Sequence, residues 1–348
     1  MSGVVFACLD ADTLGGIQQV THRLAQGLAG RGHEVHVVGL HRAQDPFGYG
    51  GRPRYPRHVI SGSPRWSVFD KRRARRLLAG IGPRFAVLTS PGVVTRLSGL
   101  LPARTRTIGQ YHGSYQHARG CSHLGSIRRH YGALDQAVFL SEDDAWLFSE
   151  HALLPNAWSL PNPLQSWPEA RAELTATRVL GVGRLAGVKR FDRLISAFAK
   201  ASAPPWELHL VGDGPEEPRL RAWARQEGVA DRVVFRGRVD SGAMEREYLA
   251  ASIVALSSEH EGLPLVLMES AAHGLPSVAF DVSGGVRSIG GLLAPPGDVP
   301  AFAERLAVLM ESADERRRLG AAARARAEGF RMEPVLDRWE ELFAHLMR

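Results

Sequence analysis

Glu261 and Glu269 stand eight positions apart in "EGLPLVLMESAAHGLPSVAFD" (261–281), an apolar helical run followed by an apolar strand. Glu269 lies among Val266, Leu267, Met268, Ala271 and Ala272, and burying even a neutral polar group without a partner costs roughly 2–7 kcal/mol. It must therefore reach something polar. Carboxylates accept hydrogen bonds from pairs of hydroxyls, and riboses and sugars are arrays of hydroxyls. The backbone of Gly262, Leu263, Pro264 and Leu265 can offer N–H groups at the start of the same helix. The pattern reads Glu269 as the partner of a ribose and Glu261 as the partner of a second sugar.

A phosphate-bearing ligand also needs cations. In "GVGRLAGVKRFDRLI" (181–195), Arg184 follows an apolar strand and Lys189 precedes a helix, so two cations and a helix N-terminus converge on one loop, a cradle for a diphosphate. Two more strand-end turns follow: "LVGDGPEEPRL" (210–220), and "VVFRGRVD" (233–240), which carries Arg238 and backbone able to face a flat base. Near the start, Gly15 and Gly16 in "DADTLGGIQQV" (10–20) immediately precede a helix and permit close approach of a ligand. The spaced triple glycine of a nicotinamide-dinucleotide fold is missing, and the second strand ends "VVGLHR" without an acid. Asp10 and Asp12 could bridge a divalent ion to phosphate, but acids after a strand more commonly organise a turn. His112, Cys121 and the histidines at 117, 123 and 130 are close in sequence, yet their spacing matches no strong zinc pattern, and no residue is assigned to a metal. His112 is separable: it ends a strand in "YHGSY" (111–115), where an imidazole can donate to a substrate hydroxyl.

These residues must be positioned by alternating strands and helices. The first half offers apolar runs at 4–9, 34–40, 84–90, 105–113 and 136–141, with Ile17, Val20, Leu24 and Leu28 forming one helical stripe between the first two. The second half repeats the pattern with strands near 178–184, 206–214, 231–239, 252–258 and 276–280 and helices near 191–200, 218–227 and 244–251. Runs buried on both faces argue for parallel sheets. Four prolines in "LLPNAWSLPNPLQSWPEA" (153–170) separate the halves. The fold class expected is α/β: two Rossmann-like doubly wound parallel-sheet domains facing a central cleft, where ligands meet the carboxyl ends of strands. The boundaries expected are 1–163 for an acceptor-side domain and 164–332 for a donor domain. A last helix at 333–348, striped with Val335, Trp339, Leu342, Phe343 and Leu346, packs back on the first domain.

At 348 residues, two domains are the default. A hydrophobic share of 44% and a charged share of 23% describe an ordinary globular chain, and no run reaches membrane-spanning length. Two cysteines and a start without a basic flank argue for a cytoplasmic protein. The net charge of +7 implies an anionic partner. The run "KRRARR" (71–76) reads either as the solvated face of an amphipathic helix with Leu77, Leu78 and Ile81 turned inward, or as a peripheral contact with an anionic membrane. Nucleic acid is set aside because no aromatic-interleaved basic motif accompanies the charge.

The pair Glu261 and Glu269 in "EGLPLVLME", with "GVGRLAGVKRFDRLI", "VGDGP" and "GLLAPPGDVPAFAERL", resembles the family-4 retaining glycosyltransferases of GT-B fold; "GGIQQVTHRLAQGLAGRGHEVHVV" (15–38) looks like that family's acceptor-domain opening. The resemblance implies a nucleotide-sugar donor, uridine-linked, whose diphosphate meets Arg184 and Lys189, whose ribose meets Glu269 and whose sugar meets Glu261. His112 would line the reaction centre. It implies hexosyl transfer with retained anomeric configuration by front-face displacement, without a cofactor or metal. The acceptor is left open among a small molecule, a polymer and a lipid-linked saccharide, shaped by loops at 44–57 and 115–129. One departure is that residues 286–290 fill a gap the family usually makes longer, with an acid near a small helix. An epimerase of similar fold and a non-catalytic nucleotide-sugar binder are the rival readings.

Overall fold

The computed structural model describes residues 2–42, 52–201 and 205–348. The chain forms two compact units, Met1–Gln165 together with Met332–Arg348, and Ser166–Arg331. Of the loop expected at 44–57, residues 44–51 lie outside the described residues.

The N-terminal unit is built on β1 (Gly3–Cys8), β2 (Glu34–His41), β3 (Arg57–Ser61), β4 (Phe85–Leu88), β5 (Arg106–Gln110), β6 (Gln136–Phe139) and β7 (Ala157–Ser159). They form one sheet in the order β3-β2-β1-β4-β5-β6-β7, every pair parallel. Val4, Val5, Phe6 and Ala7 on β1 are wholly buried, as a central strand covered on both faces requires. The helix Gly16–Gly30 returns the chain from β1 to β2 and buries Val20, Leu24, Ala25 and Leu28.

The basic run falls within the helix Val68–Ile81, started by a reciprocal Ser67–Asp70 cap and stopped by Gly82 in the left-handed conformation. Ala74 and Leu78 are buried, Leu77 and Ile81 partly so, and Lys71, Arg72, Arg73, Arg75 and Arg76 are exposed. Val68 and Phe69 in its first turn are also exposed.

The last helix, Met332–His345, completes this unit. Its buried stripe sets Trp339 edge-on to Phe6 and stacks Phe343 on Phe85 with 4.4 Å between ring centroids. Arg31 binds Glu333, Asp337 and Glu340 from that helix.

The C-terminal unit carries β8 (Arg178–Val182), β9 (Glu207–Val211), β10 (Val233–Gly237), β11 (Ile253–Leu256), β12 (Ser277–Phe280) and β13 (Leu292–Ala294). Their order is β10-β9-β8-β11-β12-β13, again parallel throughout. The chain winds from β8 out to β10 and then crosses to β11, so the winding direction reverses between the neighbouring strands β8 and β11. A doubly wound sheet offers its binding crevice at that point, because the two connections leave in opposite directions. Among the described residues, no helix is long and apolar enough to cross a membrane.

Candidate functional site

The loops leaving β8 and β11 carry Lys189 and Glu261, and the structure brings the two side chains together. After β8 the chain turns through Gly183 and Arg184, makes one short helical turn at Gly187–Lys189, and enters the helix Phe191–Ala201. Lys189 Nζ donates to Glu261 Oε1 at 2.7 Å. The backbones are stitched as well: Glu259 N donates to Val188 O at 2.9 Å, and Ser257 Oγ donates to Lys189 O at 2.8 Å. Both charged side chains are mostly but not wholly buried, 24% and 13% exposed, so they remain reachable by a polar ligand. An ammonium has three donors, and the bond to Glu261 occupies one.

The rest of the cradle depends on glycine. Gly212, in the turn after β9, has φ of 136°, and a Cβ there would lie 1.9 Å from Gly183 O. Only a residue without a side chain lets the β9 turn pass against the β8 turn. Arg184 is exposed, and its guanidinium makes no hydrogen bond or ion pair among the described residues. Arg238 follows Gly237, a positive-φ residue, past a register shift at the end of β10, and is likewise exposed.

Glu269 sits in the helix Leu265–Ala272, half-buried, and accepts a hydrogen bond from Tyr248 Oη at 3.0 Å. That phenol supplies a polar partner for a carboxylate in an apolar helix. Sequence reasoning missed it because Tyr248 belongs to a different helix, Ser241–Leu249, and nothing local marks it. The helix of Glu269 begins at Pro264 with no side-chain cap and no acid in its first turn, so its N-terminal dipole is not neutralised locally. Pro264 carries no N–H. Of the four residues expected to donate from the backbone, only Gly262, Leu263 and Leu265 can do so.

Ser283 is a second residue the sequence did not single out for this site. It caps the short helix Gly284–Ile289, accepting from Val286 N at 3.1 Å, and its Oγ donates to Gly262 O at 2.8 Å. The compact segment 283–290 thus supports the loop that carries Glu261.

In the N-terminal unit, Gly15 caps the helix Gly16–Gly30 in extended conformation, and no atom lies within 4 Å of where a Cβ on Gly16 would stand. Asp10 and Asp12 organise the preceding turn: Asp10 Oδ1 accepts from Asp12 N at 2.9 Å and from Thr13 N at 3.1 Å, and Asp12 pairs with Arg57 at 3.1 Å. His112 follows β5 by two residues; its Nε2 is buried and has no hydrogen-bond partner among the described residues. Burial pushes its pKa down to about 4, so at neutral pH it is an uncharged imidazole that can donate or accept.

The comparisons with known proteins follow the same division. Residues 14–168 match the model described as Glycosyltransferase Family 4, and residues 168–326 match Glycosyl transferases group 1. The chain is 31% identical to an exopolysaccharide phosphotransferase of Streptomyces coelicolor across 99% of its own length, but spans only 41% of that relative. It is 24% identical to the amylovoran biosynthesis glycosyltransferase AmsD of Erwinia amylovora, covering 94% of this chain and 95% of that protein. Among solved structures, HepE of Anabaena in complex with UDP and glucose superposes with a TM-score of 0.79 at 16% identity, over 99% of this chain and 100% of the other. Two parallel doubly wound sheets, an ion pair where the second sheet reverses its winding, and two family models meeting at residue 168 agree: the chain belongs to the family-4 glycosyltransferases of GT-B fold.

Proposed function

We propose that the chain is a retaining hexosyltransferase that moves a sugar from a nucleotide-sugar donor, UDP-linked, to an acceptor hydroxyl. The observation that carries this reading is the Lys189–Glu261 pair, set between the loops of β8 and β11 beside an uncapped helix N-terminus. The leaving diphosphate needs charge stabilisation, and Arg184, the two further donors of Lys189 and the backbone N–H groups of Gly262, Leu263 and Leu265 supply it without a metal. Glu261, steadied by Lys189, accepts from the donor sugar's hydroxyls, and Glu269, held by Tyr248, accepts from the ribose. In front-face displacement the bond from the anomeric carbon to the diphosphate oxygen breaks, and the acceptor oxygen bonds to that carbon on the same face. The departing phosphate takes the acceptor's proton. His112, neutral at physiological pH, is assigned a hydrogen-bonding role at the reaction centre rather than a charged one.

The UDP of the HepE complex supports the uridine donor, and the names of the Streptomyces and Erwinia relatives support a saccharide chain, free or lipid-linked, as acceptor. The exposed basic face of the helix Val68–Ile81, with Val68 and Phe69 beside it, supports peripheral contact of a cytoplasmic protein with an anionic membrane.

Calorimetric titration with UDP, against GDP and ADP, tests the donor. UDP binding that weakens at least tenfold in Glu269→Ala, about 1.4 kcal/mol, is the result expected; a folded protein that binds no nucleotide overturns the reading. Product analysis then tests the reaction. Hexosyl transfer releases UDP, whereas transfer of the sugar phosphate would release UMP. Glu261→Ala should abolish UDP release from a UDP-sugar while leaving UDP affinity within about threefold.

A further inference from the structure

The segment joining β5 to the helix His123–His130 brings together side chains that the transferase reading does not use. His117 lies on the short helix Tyr115–Arg119, Cys121 in the turn that follows, and His123 at the first position of the next helix. Their ligand atoms all lie within 4.8 Å of one another. Two local devices make the cluster. Ser114 Oγ accepts from His117 N at 3.2 Å and starts the first helix, and Cys121 N donates to Ala118 O at 3.3 Å, folding the turn back over it. The sequence concealed this grouping because three donors at intervals of four and two match no common zinc spacing; only the turn between two helices closes them.

We propose that His117, Cys121 and His123 form a binding site for a divalent transition-metal ion, zinc by the chemistry of its donors. One thiolate and two imidazoles select a borderline-soft ion such as zinc, cobalt or nickel over magnesium or calcium, which take oxygen. Around a tetrahedral zinc with bonds of about 2.0–2.3 Å, ligand atoms stand roughly 3.3–3.7 Å apart, so these side chains, whose ligand atoms lie within 4.8 Å of one another, draw in on the ion. Cys121 is exposed, so the fourth position faces solvent and takes a water or a further ligand. His123 already has the support that metal-bound histidines need: its Nδ1 is 3.1 Å from the Tyr111 hydroxyl. That contact fixes the ring and leaves Nε2 to meet the ion. The site ties together residues 117–123, a few positions beyond β5 and His112, so the ion organises a segment rather than taking part in sugar transfer.

The full chain, stripped with chelator, is titrated with zinc by competition against a chromophoric chelator, and with cobalt in an optical cell. One equivalent of zinc should bind, and the cobalt form should show a sulfur-to-metal charge-transfer band in the near ultraviolet with the visible bands of a tetrahedral ion. Cys121→Ser should lose the charge-transfer band, and it and His117→Ala should each weaken zinc binding at least tenfold. Tyr111 acts through His123, so Tyr111→Phe should keep the band while lowering affinity about 10–100-fold. Zinc should raise the melting temperature of the wild-type chain and not that of Cys121→Ser. The chain holds 14 histidines, so binding that Cys121→Ser and His117→Ala leave unchanged places the ion elsewhere and overturns the proposal, as does a cobalt spectrum without a thiolate band. None of these readouts involves sugar transfer, so the site stands or falls independently of the transferase reading.

Discussion

Lys189 and Glu261 are 72 positions apart in sequence and 2.7 Å apart in space. Their types and the motifs around them were legible; their contact was not, because it depends on β8 and β11 lying side by side. Each holds the other's charge in a mostly buried place, so removing one leaves the other without its main partner. A cycle of Lys189→Met, Glu261→Gln and the double variant, read by denaturant unfolding, should give a coupling of about 0.5–3 kcal/mol, at the lower end because both groups keep some solvent. A coupling of zero would mean that the pair does not hold the two loops together. His112 poses a different question at this scale. Burial depresses its folded pKa to about 4 against about 6.5 in an unfolded chain. Below pH 6.5 the unfolded state therefore takes up a proton that the folded state refuses. The stability from the neutral ring is complete above pH 6.5 and is lost as pH falls towards 4. His22, His58 and His209 are shifted down by burial as well, so a single substitution removes only a share of the acid sensitivity. Melting temperatures of wild type and His112→Asn at pH 7.5, 6.0 and 5.0 should converge as pH falls; a constant difference would contradict a buried neutral imidazole.

The strands that sequence reasoning overlooked have one physical trait in common. β3, β7 and β13 all lie at sheet edges; β7 and β13 have three residues each, and β3 begins with Arg57 and His58. An edge strand pairs on one side only and need not carry a continuous apolar run, so its signature is weak, whereas the interior strands announced themselves by burial on both faces. The divide between units at 165–166 falls inside the proline-rich segment 153–170, whose prolines hid β7. The small helix Gly284–Ile289 was also hidden, and its importance rests on a close approach: a Cβ on Gly285 would stand 2.0 Å from Gly262 O and 2.8 Å from Leu263 Cα. Both are backbone atoms, so Gly285→Ala must push that helix away and strain the Ser283–Gly262 bond. The expected cost is about 1–3 kcal/mol, with UDP affinity falling in parallel. Gly16→Ala is the contrast. With open space around its Cβ, and alanine preferred over glycine in a helix by roughly 0.5–1 kcal/mol, it should stabilise the fold slightly. If a ligand approaches that glycine, activity should fall while stability rises. Unfolding midpoints of the two variants with opposite signs would check both statements.

At the scale of the whole molecule, the chain builds its first unit from its two ends. The stripe Val335, Trp339, Leu342 and Phe343 was legible as a helix face in need of a partner, but the partners, Phe6, Phe85 and the helix Gly16–Gly30, lie at the far end of the sequence and no local pattern names them. Arg31 adds three acids from the same helix, but Glu333 and Asp337 are largely exposed and Glu340 is part-exposed, so each pair is worth about 0–1 kcal/mol. The wholly buried Trp339 is the larger contribution. Trp339→Ala should cost about 3–5 kcal/mol through lost burial and an unfilled cavity. That cost belongs to the unit containing residues 1–165 and 332–348. UDP, on the proposed reading, binds the unit containing residues 166–331 and stabilises it by roughly 2.7 kcal/mol at a hundredfold excess over Kd. Each unit has its own sheet and core, so scanning calorimetry can follow them separately when their transitions resolve. Trp339→Ala should lower one transition, and UDP should raise the other in wild type and variant alike. UDP that raises the transition weakened by Trp339→Ala, and leaves the second unmoved, would place the nucleotide on the N-terminal sheet and require the donor and acceptor sides to be exchanged.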